Sequence, residues 1–249
     1  MKAWHIGLGA LALIAAPLVA ATTQVRPSDF ARVLIDGARP AADLMRDEDR
    51  KPADMLAFAE VRPGSKVAEL NPGGGYFTRL LSLAVGSQGK VYAVSSRPLP
   101  WLDAWTSTRP NVVLRSGPIT DPLAPEPVDL VWTTQNYHDF KNRPADAQGK
   151  DGAALYNEAA FAALKPGGIY LVSDHEGAPG SGATQTSTLH RIESAVVIRE
   201  VEAAGFKLEA RSDVLKHPAD DHTGKVFDSG IRGKTDQFVL KFRKPRAKR

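Results

Sequence analysis

Two short clusters concentrate the residues able to do chemistry. Asn136-Tyr-His-Asp-Phe140 and Ser173-Asp-His-Glu176 each set an imidazole beside a carboxylate. Histidine titrates near neutral pH, at about 6.5 when unperturbed, so His138 or His175 can take a proton from a nucleophile. Asp139 or Asp174 would orient that imidazole or hold the substrate, and Tyr137 would line the same site. His190-Arg-Ile-Glu193 opens a later helix that would face the same cleft. Read singly, each of these is as readily a hydrogen-bonded loop residue that shapes a cleft; the clustering favours the chemical reading. His138, Asp139, Asp174, His175 and His190 are also hard or borderline metal ligands. Their spacing matches no dedicated metal motif, so no metal is assigned. Asp220-Asp-His222 reads as a solvated loop. No G-x-S-x-G elbow occurs, which argues against a hydrolase of the α/β type.

The elements that position these clusters begin at Lys66. Lys66–Leu70 is a short apolar strand, Asn71-Pro-Gly-Gly-Gly75 a glycine-rich turn, Tyr76–Ala84 a helix and Lys90–Val94 a second apolar strand. That order is one β-α-β unit. Gly73, Gly74 and Gly75 can take backbone angles closed to other residues and let a ligand approach the main chain. The helix behind them opens with unpaired N–H groups and the positive end of its dipole, which suits a nucleotide-like or carboxylate-bearing ligand. Further strands are expected at Val112–Arg115, Val128–Thr133, Ile169–Ser173, Lys207–Ser212 and Phe238–Phe242. Helices are expected at Ala41–Glu60, broken by Pro52, and at Trp101–Ser107, Ala153–Leu164 and Ile192–Ala204. Gln135–Lys150, Gly177–Thr188 and Val214–Asp236 read as loops. Strands alternating with helices predict an α/β domain, a mostly parallel sheet with helices on both faces. The two chemical clusters then follow the fourth and fifth strands, at the carboxyl ends where such sheets bind ligands.

The chain has 249 residues and 43% apolar content, enough for one medium domain with a substantial core. Its formal charge of +4 is a modest excess. Lys241, Arg243, Lys244, Arg246, Lys248 and Arg249 supply much of it, and no aromatic residue interleaves them after Phe242, so residues 244–249 read as a solvated basic tail and no nucleic-acid partner is expected. Residues 1–21 read as a signal peptide: Lys2, the apolar run Ile6–Ala16, then Pro17-Leu-Val-Ala-Ala21, with small residues at a cleavage site. The run is short for a membrane span, and an uncleaved anchor is the alternative. A periplasmic or secreted location follows, with no stable membrane partner after cleavage. The chain has no cysteine, which such a compartment tolerates. Residues 22–40 read as a polar lead-in and 41–243 as the functional domain.

Three stretches together resemble the class I S-adenosylmethionine-dependent methyltransferases. They are Val67-Ala-Glu-Leu-Asn-Pro-Gly-Gly-Gly-Tyr-Phe77, Val128-Asp-Leu-Val-Trp132 and Leu164-Lys-Pro-Gly-Gly-Ile-Tyr-Leu171, supported by Ala203-Ala-Gly-Phe206. The resemblance covers about residues 40–243 and is nearest to exported bacterial proteins known only as predicted methyltransferases. It implies a Rossmann-like, seven-stranded sheet with the last strand antiparallel. It implies S-adenosylmethionine as cofactor, with its methionine part on Asn71, Gly73, Gly74 and Gly75, next to Tyr76 and Asn136, and its amino group oriented by Glu69. The family places a carboxylate for the ribose at the end of strand two, where this chain has Ser95 and Ser96. It often places another for the adenine after strand three, where this chain has Gly117-Pro118, with Asp121 close by. The resemblance also implies a small-molecule acceptor. Two other functions stay open: a non-catalytic binding protein on the same scaffold, and a hydrolase or metal-dependent enzyme built on His138 and His175.

Overall fold

The computed structural model describes residues 23–246 together with Met1. The expected signal peptide, apart from Met1, and residues 247–249 of the basic tail lie outside the described residues. Seven strands form one sheet: β1 (Lys66–Leu70), β2 (Lys90–Ser95), β3 (Val112–Ser116), β4 (Val128–Thr134), β5 (Leu164–His175), β6 (Lys207–Ser212) and β7 (Gln237–Arg243). Their spatial order is β3-β2-β1-β4-β5-β7-β6, and β7 alone runs antiparallel to its two neighbours. The helices are α1 (Ala31–Leu34), α2 (Ala41–Leu44), α3 (Asp47–Arg50), α4 (Pro52–Phe58), α5 (Tyr76–Val85), α6 (Pro100–Thr106), α7 (Tyr137–Lys141), α8 (Gly152–Ala163) and α9 (Ser194–Ala203). Among the described residues no helix is long and apolar enough to cross a membrane.

The central strands are apolar on both faces because both are covered. Alternate side chains go to opposite cores. On β4, Val131 joins Tyr137, Tyr156, Tyr170 and Phe206 on one side. Leu130 and Trp132 join Met55, Leu56, Phe77 and Val239 on the other. Burying each large apolar side chain contributes about 1.5–3 kcal/mol. The segment Lys165-Pro-Gly-Gly168 is drawn into the start of β5. A Cβ on Gly168 would lie 2.9 Å from both Leu164 Cδ2 and Lys165 O, so only glycine lets the chain pass so close.

Both ends of the expected domain need extending. The lead-in holds a 3-10 turn at Pro27–Phe30 followed by α1, and Phe30 is buried in the second core. At the other end Lys244 is no free tail residue, since its ammonium donates to the carbonyls of Phe161 and Leu164. Pro52 does break the first helical region, with Lys51 in the left-handed conformation at the joint (φ 44°).

Candidate functional site

The glycine turn opens where β1 ends. Asn71 continues the ladder by donating its N–H to Val94 O (2.8 Å) and then turns left-handed, at φ 49°. Asparagine tolerates that angle. Gly73 and Gly75 follow at φ 55° and 75°. Nothing lies within 4 Å of a Cβ built on Gly74, so this turn presents bare main chain to open space. No side chain caps the first turn of α5 behind it. Arg79 braces the turn from below. Its guanidinium donates to Gly74 O (2.9 Å) and to both oxygens of buried Asp43 (2.6 and 2.8 Å).

A cleft of about 850 Å³ lies over this end of the sheet, and Asn71, Pro72, Gly73, Ser95, Ser96, Asn136 and Asp139 line it. Sequence reasoning named six of these seven and passed over Pro72. It also missed Arg97 and Arg143, which line the same cleft; no local pattern marks them. Arg143 Nε is buried without a partner, although its guanidinium lies over the Tyr156 ring. Asn136 fastens the cleft wall by donating to Asn71 O (3.0 Å) and Thr134 O (2.7 Å).

Glu69 lies beneath, fully buried, accepting from Thr78 Oγ1 at 2.6 Å. Burial pushes its carboxyl up to about 7, with Thr78 and Arg79 opposing. Tyr76 does not line the cleft. It is buried with its hydroxyl donating to Asp47 (2.7 Å), because α3 packs over that side of α5. Gly117 does not line it either, but the Asp121 carboxylate folds back to 3.0 Å from where a Gly117 Cβ would be. An acid from the following loop therefore stands beside the turn after β3, outside the lining of the cleft.

The two chemical clusters meet as their strand positions require. Thr134 of β4 is paired with Ser173 of β5, and Asp174 follows one residue later. The loop expected after β4 begins with α7, and α7 lays His138 over Asp174. Asp174 is fully buried and accepts from His138 N (2.7 Å), His175 N (2.8 Å) and His138 Nδ1 (2.9 Å). An ionised carboxylate only accepts, so the ring proton is assigned to Nδ1 and the lone pair to Nε2. Burial disfavours a charge on His138, but Asp174 outweighs it and raises the imidazole above its ordinary value. Asp174 is conversely held below the usual carboxylate range: burial would raise it, and His138 more than offsets that.

Nε2 of His138 faces His190 Nδ1 at 3.2 Å and Asp139 Oδ1 at 3.4 Å, and the last two lie 3.9 Å apart. His190 is held in the left-handed region, at φ 58°. Its neighbour Arg191 anchors it: the fully buried guanidinium donates to Asp220 at 2.8 and 3.0 Å and to Gly224 O at 2.9 Å. Asp220 is therefore a buried counter-ion and not part of a solvated loop. Such strain in a non-glycine residue persists only where its surroundings over-determine it.

Two expected site residues fall elsewhere. Tyr137 points into the core, accepting from Asn157 (2.8 Å) and bonded to Glu200 (3.1 Å), because it lies on the inward face of α7. His175 turns to Thr235 (2.8 Å) and lines a separate cavity of about 540 Å³ with Arg46, Arg50, Gln135 and Arg232. Burial pushes His175 down to about 4, with Asp174 opposing. Gln135 lines this cavity and Asn136 the cleft, so consecutive residues after β4 serve the two.

No family model matches the sequence, and no curated protein is similar to it in sequence. Solved structures do share its architecture. A SAM-dependent methyltransferase from Aquifex aeolicus superposes with a TM-score of 0.57 at 19% identity, over 88% of this chain and 98% of the other. Fibrillarin of Aeropyrum pernix, determined with natively bound S-adenosyl-L-methionine, gives 0.51 at 16% identity, over 79% and 76%. The [4+2]-cyclase SpnF gives 0.58 at 16% identity, over 80% and 81%. Identities this low show the fold, and the fold is the Rossmann-like one of the S-adenosylmethionine-dependent methyltransferases.

Proposed function

We propose that this protein is an exported methyltransferase that takes S-adenosylmethionine in the 850 Å³ cleft and a small anionic acceptor in the cavity that His175 lines. The observation that carries the reading is the bare, left-handed glycine turn opening onto a cleft, together with a basic cavity that Gln135 and His175 line at the carboxyl ends of β4 and β5. The residues present fit the cofactor. Gly73 and Gly74 allow close approach, Glu69 offers a carboxyl to an amino group, and Arg143 brings an unpartnered buried N–H to the cleft. Ser95 and Ser96 line the cleft and would offer hydroxyls to the ribose, and Asp121, beside Gly117, would offer a carboxylate to an adenine amino group. When bound, the cofactor would supply a methyl group on a sulfonium centre for in-line transfer to a nucleophile.

The chain's own residues bind and orient the acceptor. Arg46, Arg50 and Arg232 line its cavity against one carboxylate, Asp49, which favours an acid or phosphate group. Burial, then the charge of Arg46, pushes Arg50 down to about 10, still protonated at neutral pH. His138, held by Asp174, turns Nε2 toward His190 and toward Asp139, which lines the cleft, and the three would hold the reacting group. Small carboxylate- or phosphate-bearing molecules are expected to raise S-adenosylhomocysteine release from the purified full-length protein. Release that none of them raises above the blank would overturn the acceptor assignment.

Export rests on residues 1–21. Mass spectrometry of the periplasmic fraction should give a mature N-terminus at Ala21 or Thr22. Full-length protein confined to the cytoplasm would contradict it.

A further inference from the structure

We infer that His138 Nε2, His190 Nδ1 and Asp139 Oδ1 form a binding site for a divalent transition-metal cation of the zinc class. The three atoms stand 3.2, 3.4 and 3.9 Å apart. A circle through three points so spaced has a radius of about 2.0 Å, and Zn–N and Zn–O bonds measure about 2.0–2.2 Å. One cation can therefore stand at bonding distance from all three donor atoms, and it keeps an open position for a further ligand. Two imidazoles and a carboxylate suit zinc and its neighbours better than calcium or magnesium, which favour an all-oxygen shell.

The surroundings are those of a metal ligand set. Asp174 accepts from His138 Nδ1 at 2.9 Å, which fixes the tautomer with its lone pair on Nε2. A carboxylate behind a histidine is the usual support for a metal-bound imidazole. The left-handed backbone of His190 and the Arg191–Asp220 clamp beside it hold the second imidazole against the first. A plain hydrogen bond between the two histidines would account for the 3.2 Å contact. It gives no reason for Asp139 to stand at bonding distance from the same point.

The site borders the cleft directly and the basic cavity through Phe227. Asp139 lines the cleft over the glycine turn, and Phe227, 4.7 Å from the His190 ring, lines the basic cavity. A cation there would hold an oxygen donor of the acceptor. That role rests on the methyl-transfer reading, whereas cation binding rests on the donor geometry alone.

The test is calorimetric titration of the chelator-treated full-length protein with Zn²⁺, repeated with Co²⁺ and followed by its visible absorption. One equivalent should bind with a Kd of about 1 μM or tighter, and Co²⁺ should give the intense bands of a four- or five-coordinate site. Asp139→Asn, at a half-exposed position, should weaken binding at least about 10-fold and His190→Ala about 100-fold, with both variants folded by circular dichroism. No saturable binding at about 100 μM metal, or binding that neither substitution weakens, would overturn the inference. S-adenosylhomocysteine is titrated separately into the metal-free protein. Binding of that ligand together with failure of the metal would sink the cation site and leave the methyl-transfer reading standing; the reverse result would do the opposite.

Discussion

Glu69 and Asp174 are both buried carboxyl groups at the carboxyl ends of central strands, yet the fold treats them in opposite ways. Asp174 accepts from two main-chain N–H groups and one imidazole, and it is held ionised. Glu69 accepts from a threonine hydroxyl and is pushed up to about 7. Separated titrations of this kind mark groups with different tasks. Asp174 has spent its capacity on holding the His138 ring, so its work is internal. Glu69 has one hydroxyl partner and, in the proposed reading, would gain a cationic one from a ligand's amino group. One side of the site is complete in the protein, and on that reading the other would be completed by a ligand.

The largest effect should come from breaking the complete side. Asp174→Asn keeps the shape but sets an amide N–H₂ against donors, and about 3–5 kcal/mol of stability should be lost in urea denaturation. A loss below about 1 kcal/mol would show that the His138 pair is not structural.

Glu69 should give the next effect, of opposite origin. Its folded value lies above its ordinary value, so the folded state holds a proton that the unfolded chain has released. This group alone therefore makes stability fall by about 3 kcal/mol as pH rises from about 4.5 to 7, against the rise that His175, held down at about 4, contributes over much of the same range. Glu69→Gln should remove that fall, so that stability rises with pH more steeply than in the parent, and an unchanged profile would assign the effect elsewhere.

Gly74→Val tests the open side without disturbing the fold, because its Cβ position is free. Stability should change by about 1 kcal/mol or less, while affinity for S-adenosylhomocysteine falls about 100-fold. The smallest effect is a gain. Ser95→Asp places a carboxylate where this fold reads a ribose, and affinity should rise about 10-fold. No gain would mean that the ribose is not read there.

How far each side was legible in the sequence follows the same division. The glycine turn and its strands were readable because their signals are local: Asn71–Gly75 are contiguous and their angles are a property of the residues themselves. The approximate limits of six strands were readable for the same reason; β5 begins at Leu164, five residues before its expected start. The histidine cluster was legible only as a set of residue types. His138, Asp174 and His190 are far apart in the chain, and the β4–β5 register together with α7, which read as loop, decides that they meet. The same helix turns Tyr137 inward, which composition does not reveal. The burial of Arg191 on Asp220 was hidden because the segment around Asp220 is polar, and polar sequence reads as solvated until its partner is known.

The most direct test of the account is calorimetric titration of the full-length protein with S-adenosylhomocysteine at pH 6 in two buffers of different ionisation heat. Micromolar binding is predicted, with a proton released to the buffer as Glu69 ionises against the ligand's amino group. No binding at millimolar ligand would contradict the account, and the cleft over Asn71–Gly75 would then belong to a different ligand.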